Sequence, residues 1–308
     1  MKVAVIGCGA MGSIYASQFA NAGHDVIVID KDESKVHAIN TNGLRVIGPR
    51  GDKTVKLDAF TEVKGQRADM IVVAVKAMYV KAILATVKKL VKKNSIVVTI
   101  QNGIGSAAPL ATMLEESKLI VGVAQGFGAS IQKPGVAHHN AMRSILLGNF
   151  KSNNQQTIDR VVNQVSTVWQ EVGFDCMAVP NIDRVQWEKL VCNSAYSGLC
   201  AINGLPIGEV MEHPQAGPIS RAAATETWQV ARDNGIHLKF EDPIQEIVNF
   251  ATRMPKAKPS VLLDLEASRK SEIDFINGAV TKAAARVGKT APINAAITQL
   301  VKSIELHQ

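Results

Sequence analysis

Short runs rich in Val and Ile alternate with longer stretches of helical spacing from residue 1 to about 125, and that alternation predicts a parallel sheet flanked by helices. Strands are expected at Lys2–Ile6, Asp25–Ile29, 70–75, 95–100 and 119–124, with helices at 11–22, 33–40, 80–91 and 107–116. Residues 126–148 carry Gly128, Pro134 and Gly135 between short apolar runs, which predicts a few antiparallel strands added to the sheet edge. A helix is expected next over 154–172, then a short strand over 174–179, and from Ile182 onward helical spacing runs almost unbroken. The pattern therefore divides the chain into an α/β part, residues 1–180, and an all-helical part, residues 181–308, with the boundary near Pro180.

Length agrees with that division, because 308 residues exceed what one hydrophobic core usually holds. Apolar residues make up 46% and charged residues 20%, the balance of a globular chain rather than a disordered or fibrous one. No apolar run approaches the roughly 20 residues that cross a bilayer, so no membrane partner is expected. The start, Met1-Lys2 followed by an apolar stretch broken at Gly7 and Gly9, reads as a first strand and not a signal peptide, which points to the cytoplasm. Cys8, Cys176, Cys192 and Cys200 form no CxxC pair and no ligand-like spacing with histidine, so reduced, mostly buried thiols are expected and no metal. The net charge of +7 would attract anionic ligands, but basic residues do not cluster with the few aromatics, and no nucleic-acid partner is expected.

The most specific local motif is Gly7-Cys8-Gly9-Ala10-Met11-Gly12, which directly follows the first strand and opens a helix. Gly7 allows a tight turn, Gly9 lets the backbone approach a pyrophosphate, and Gly12 lets helix and strand pack closely. The second strand ends at Asp30, eighteen residues beyond Gly12, where a carboxylate can accept hydrogen bonds from an adenosine ribose diol. Strand, glycine loop, helix and acid together predict a doubly wound Rossmann domain binding NAD or NADP. Asp30 would repel a 2′-phosphate, whereas Lys31 and Lys76 could neutralise one. The carboxylate at the strand tip is the more direct discriminator, so NAD is favoured.

In the helical part, Lys189 and Asn193 stand four residues apart on one face of a helix expected over 183–199, and Ser197 extends the row. Apolar Leu190 and Val191 suggest partial burial, which invites a functional reading; on spacing alone a solvent-facing polar stripe explains the row equally well. Glu266, Arg269, Lys270, Glu272 and Asp274 form a second polar cluster from which spacing selects no single residue. An apolar stripe in this region could serve as a homodimer face or as core, and no sequence feature separates the two.

Over essentially its full length the chain resembles the ketopantoate reductase family. The resemblance is carried by the N-terminal GCGAMG, the Gln101-Asn102-Gly103 turn, Glu188-Lys189 with Asn193, and Ser260 followed by Ser271-Glu272-Ile273-Asp274 and Ile276-Asn277-Gly278. It implies reduction of 2-dehydropantoate to pantoate, on the route to pantothenate and coenzyme A, with a small 2-keto acid as substrate. It further implies that Lys189 is the general acid, Glu272 its carboxylate partner, Asn193 and Ser260 substrate-holding groups, and Asn102 a residue at the meeting of nicotinamide and substrate, while Gly128 lines the cofactor groove. Two departures concern the substrate and cofactor. Many members have asparagine where this chain has Ser197, a shorter group that reshapes the substrate pocket. Where NADP-using members have a small or apolar residue, this chain has Asp30, as do NAD-using D-2-hydroxyacid dehydrogenases of the same superfamily. The nearest rival activity is therefore an NAD-dependent dehydrogenase of another branched or aromatic 2-keto acid. A dinucleotide sensor without catalysis is the rival from a different class, opposed by the presence of Lys189, Asn193, Ser260 and Glu272 together.

Overall fold

The computed structural model describes residues 1–126, 128–141, 144–150 and 158–307. Its Cα packing forms two compact units, one of residues 1–101 and 106–182, the other of residues 102–105 and 183–308.

The first unit opens with β1 (Lys2–Ile6), α1 (Ala10–Asn21), β2 (Asp25–Ile29) and α2 (Glu33–Asn42). Asp32 caps α2 by accepting from the Lys35 amide, which satisfies one of the donors that a helix start leaves open. Three strands follow that the apolar pattern did not predict: β3 (Leu44–Gly48), β4 (Gly51–Val55) and β5 (Asp58–Phe60). The signal is weakest in β4, which is exposed at every position but the last, and β5 is only three residues long. Then come β6 (Ala68–Val73), α3 (Leu84–Leu90), β7 (Val91–Thr99), α4 (Ala108–Ala111) and β8 (Leu119–Gln125). The helix expected over 80–91 is in fact a 3₁₀ turn, Lys81–Ile83, followed by the short α3, and Val91 already opens β7. The helix expected over 107–116 stops after one turn, where the Thr112 hydroxyl donates to the Pro109 carbonyl and competes with the helical ladder.

The unit closes with β9 (Gly128–Lys133), β10 (Val136–Ala141), β11 (Ser144–Asn149), α5 (Arg160–Glu171) and β12 (Cys176–Ala178). Residues 154–157 of the helix expected over 154–172 lie outside the described residues.

Eight strands form one sheet in the order β12-β11-β8-β7-β6-β1-β2-β5, parallel except where β11 runs against β8. The sheet is doubly wound: the chain leaves β1 toward β2 on one side and later returns to pair β6 on the other. The expectation that all of 126–148 joins the sheet edge holds only for β11. β9 and β10 instead form a hairpin that pairs with β3 in a separate sheet, β4-β3-β10-β9, because the unforeseen β3 supplies a parallel partner for β10.

Both faces of the large sheet are covered, as parallel sheets require. Val3, Val5, Val26, Val28 and Val72 share a core with Ile14, Tyr15 and Phe19 of α1 and Val165 and Trp169 of α5. Alternate residues Ala4, Ile27, Ile71 and Val73 are buried on the opposite face.

The second unit is helical: α6 (Ile182–Asn203), α7 (Ile207–Glu212), α8 (Ala216–Asp233), α9 (Pro243–Arg253), α10 (Ser260–Glu266), α11 (Asn277–Arg286) and α12 (Pro292–Leu306). From Leu190 to Ala201 almost every residue of α6 is buried, the pattern of a helix enclosed by others. Small residues let those neighbours come close. A Cβ on Gly198 would stand 2.2 Å from the Ile297 side chain of α12. Among the described residues no helix is long and apolar enough to cross a membrane.

Candidate active site

In the first unit the chain leaves β1 through Gly7, whose φ of +91° only glycine adopts readily. At Gly12 a Cβ would come within 1.9 Å of the Gly7 carbonyl, so the close return of α1 over the loop excludes any side chain there. The opposite holds at Gly9, the residue before α1, where a Cβ would find no neighbour within 4 Å. No side chain caps this helix start, and Ala10 and Met11 follow as its half-buried first residues. An open approach to a helix N-terminus, with donors that no side chain occupies, fits a nucleotide diphosphate. Its place beside the ends of β1 and β6 is the switch point of the doubly wound sheet, where such ligands bind.

Asp30 follows β2 and faces this loop. Its Oδ2 accepts from the Cys8 amide at 2.7 Å and from Lys35 Nζ at 2.9 Å, and its Oδ1 accepts from the Asp32 amide at 3.0 Å. The part played by Lys35 was not read from the sequence. The signal was there, because a lysine one turn into a helix that begins just after a strand-tip acid can reach back to it. Lys31 holds its ammonium 5.0 Å from the centre of the Tyr79 ring, and Lys76 precedes the 3₁₀ turn Ala77–Tyr79. Cys8 is fully buried, and burial raises its thiol to about 11, so it is an inert packing group at neutral pH. Gly128 opens β9 in the four-stranded sheet, where a Cβ would stand 3.2 Å from that of Asn140.

In the second unit, Lys189 of α6 donates from Nζ to Asn102 Oδ1 at 2.9 Å. Asn102 belongs to the segment 102–105, which packs with this unit and is fixed by the Ile104 amide donating to the Phe275 carbonyl at 3.0 Å. Gln186, one turn before Lys189, donates to the Gly103 carbonyl at 3.5 Å. Burial pulls the Lys189 ammonium down to about 8, and the charge of Glu272 opposes that shift. Glu272 is itself only 8% exposed, at the start of the turn Ile273–Phe275.

One and two turns along α6, Asn193 is half-buried and Ser197 is buried, so the polar row is not a solvent-facing stripe. The structure thus gathers Lys189, Asn102 and Glu272 and sets Asn193 and Ser197 on the same helix row. Ser260 is exposed at the first position of α10.

Behind this row lies a buried polar network that spacing does not reveal, since its members are dispersed through apolar helices and only Asn277 falls in a motif. Asn277 Nδ2 donates to the Ser194 carbonyl at 2.8 Å and to Asn294 Oδ1 at 2.9 Å. Asn294 Nδ2 donates to Glu226 Oε2 at 2.7 Å, and the Ser194 and Thr227 hydroxyls meet at 2.7 Å. These bonds tie α6, α8, α11 and α12 into one frame.

A family model described as "Ketopantoate reductase PanE/ApbA" matches residues 3–152, and its companion "Ketopantoate reductase PanE/ApbA C terminal" matches residues 181–305. The chain is similar to a 2-dehydropantoate 2-reductase of Streptococcus pyogenes serotype M6, 30% identical over 307 residues and covering 99% of this chain and 98% of that one. A 2-dehydropantoate 2-reductase of Pyrococcus abyssi is 29% identical over 99% of this chain and 98% of its own. Among solved structures, a PanE/ApbA family ketopantoate reductase from Ralstonia eutropha JMP134 superposes with a TM-score of 0.90 at 28% identity, covering 100% of this chain and 99% of that one. D-mandelate dehydrogenase in a ternary structure with NADH and anilino(oxo)acetate gives 0.91 at 25% identity, with the same coverage. With both family models matched along nearly its whole length, the chain belongs to the ketopantoate reductase family.

Proposed function

We propose that this chain reduces 2-dehydropantoate to pantoate, a step toward pantothenate, using a nicotinamide dinucleotide held at the glycine loop. When bound, the dinucleotide supplies the hydride that reduces the ketone carbon. The remaining chemistry belongs to the chain's own side chains. As negative charge gathers on the ketone oxygen, the Lys189 ammonium hydrogen-bonds it and then transfers a proton from Nζ, leaving a hydroxyl on the product and a neutral amine to be reprotonated from solvent. Glu272 keeps the amine charged against the cost of burial, and Asn102 fixes its direction. Asn193 and Ser260 supply uncharged donors for the substrate's carboxylate and hydroxyl, and Ser197 shapes the pocket beside them.

The observation that carries the reading is Lys189, a half-buried lysine aimed by Asn102 and charged by Glu272, on a chain that opens with a dinucleotide loop. NAD is the favoured cofactor because Asp30 faces the loop where an adenosine ribose would lie. A second reading, an NAD-dependent D-2-hydroxyacid dehydrogenase for another branched or aromatic 2-keto acid, is supported by the likeness to D-mandelate dehydrogenase and by Asp30 itself. Initial rates over a small panel of 2-keto acids, each with NADH and NADPH, separate the two. The first reading expects ketopantoate to give the highest kcat/KM, and it is lost if only other 2-keto acids turn over.

A further inference from the structure

The pairing of Asp30 with Lys35 bears directly on the choice of nucleotide. Both side chains are largely withdrawn from solvent, 9% exposed for Asp30 and 17% for Lys35, which is unusual for a lysine on a short surface helix. A carboxylate offers about four lone-pair positions. In Asp30 three are taken, two on Oδ2 by the Cys8 amide and Lys35 and one on Oδ1 by the Asp32 amide. One acceptor position is left for a ribose that has two hydroxyls to donate. Lys35 engages Asp30 with one of its three N–H groups, and the nearest Asp32 oxygen is 3.9 Å away, beyond hydrogen-bonding reach. The ribose-facing carboxylate therefore comes with an adjacent cation that has donors to spare.

The consequence is electrostatic. A bare carboxylate at the strand tip favours NADH by accepting from both ribose hydroxyls and by repelling a 2′-phosphate. Paired with an ammonium at 2.9 Å, the same carboxylate loses one acceptor position and presents little net charge at the distance of that phosphate. The geometry points to Lys35 as a specificity-determining residue: by neutralising Asp30 it keeps the nucleotide site open to NADPH as well as NADH. This rests on the reading of the glycine loop as a dinucleotide site and leaves the identity of the keto acid aside.

The test is binding, not turnover. NADH and NADPH fluorescence is titrated with the intact protein in the absence of any keto acid, and the ratio of the two Kd values is read. The native protein is expected to bind both nucleotides within about tenfold of each other, and Lys35→Met to shift the ratio toward NADH by about tenfold, the effect of deleting one unit charge a few ångström from the phosphate. Lys35→Arg retains the charge and should leave the ratio near native. If Lys35→Met does not fold, Lys35→Gln serves in its place. Asp30→Asn alone should move the ratio toward NADPH, because the repelling carboxylate is gone while the Lys35 charge remains. An unchanged ratio in Lys35→Met, or an Asp30→Asn ratio that moves toward NADH, overturns the assignment. Native protein that binds neither nucleotide would overturn the dinucleotide site itself, an outcome distinct from failure on ketopantoate.

Discussion

A lysine meant to protonate an alkoxide has to stay charged while being partly hidden from water, and at Lys189 those demands are opposed. Burial alone favours the neutral amine, the charge of Glu272 favours the ammonium, and the balance leaves the group at about 8. At pH 7 most of the population is therefore protonated and ready to donate. As pH rises through about 8 the donor is lost, so kcat for reduction should be flat at lower pH and then fall about tenfold per unit; oxidation of the hydroxy acid needs the neutral amine and should rise over the same range. Measured pH profiles in both directions check this, and a reductive rate unchanged up to pH 10 would show that another group donates. Lys189→Ala should lower kcat by roughly 10²- to 10⁴-fold, the usual contribution of a positioned acid, while NADH affinity changes little because the glycine loop belongs to the other unit. Near-native turnover in that variant would remove Lys189 from the acid's role.

The element that aims this lysine is the segment 102–105. Gly103 has φ +78°, and a Cβ on it would lie 1.8 Å from the Phe275 carbonyl. Gly103→Ala therefore has to displace the turn, at about 1–2 kcal/mol for the left-handed backbone alone. With it moves Asn102, whose Oδ1 directs Lys189. Because a misplacement of about 1 Å can cost on the order of 10²-fold in rate, the variant should lose kcat far more than it loses nucleotide affinity. Equal loss of both, or of neither, would contradict that division. At this scale the sequence was readable in a revealing way. β1 and β2 fell where predicted because buried Val and Ile runs are unambiguous, and Asn102, Lys189 and Glu272 were named because family motifs mark them. β4 was missed because an exposed, charged strand carries no apolar alternation, and β5 because three residues are too few to show one, whereas β3 carries Leu44, Val46 and Ile47 in a run too short to stand out. Asn277 stands in a family motif, but its bond to Asn294 was missed because a hydrogen bond between distant helices leaves no trace in spacing.

At the scale of the molecule, each compact unit has its own hydrophobic core, and the candidate chemistry is divided between them. In the first unit the core gathers around Trp169 of α5, fully buried, with ring centres 5.3 Å from Tyr15, 5.4 Å from Phe19 and 5.1 Å from Phe174. Tyr15 and Phe19 are on α1, the helix whose first turn meets the glycine loop, so the aromatic cluster supports the element that would bind the nucleotide. Trp169→Ala removes the centre of that cluster and should destabilise the unit by about 3–5 kcal/mol. Nucleotide binding acts in the other direction, since a ligand at a hundred times its Kd stabilises the folded state by about 2.7 kcal/mol. Saturating NADH should thus raise the melting midpoint of the native protein and restore only part of what Trp169→Ala loses. The comparison requires four thermal melts, native and variant, each with and without NADH. If NADH gives no protection to the native chain, the nucleotide does not bind the folded first unit; if Trp169→Ala melts like the native chain, the aromatic cluster does not support α1.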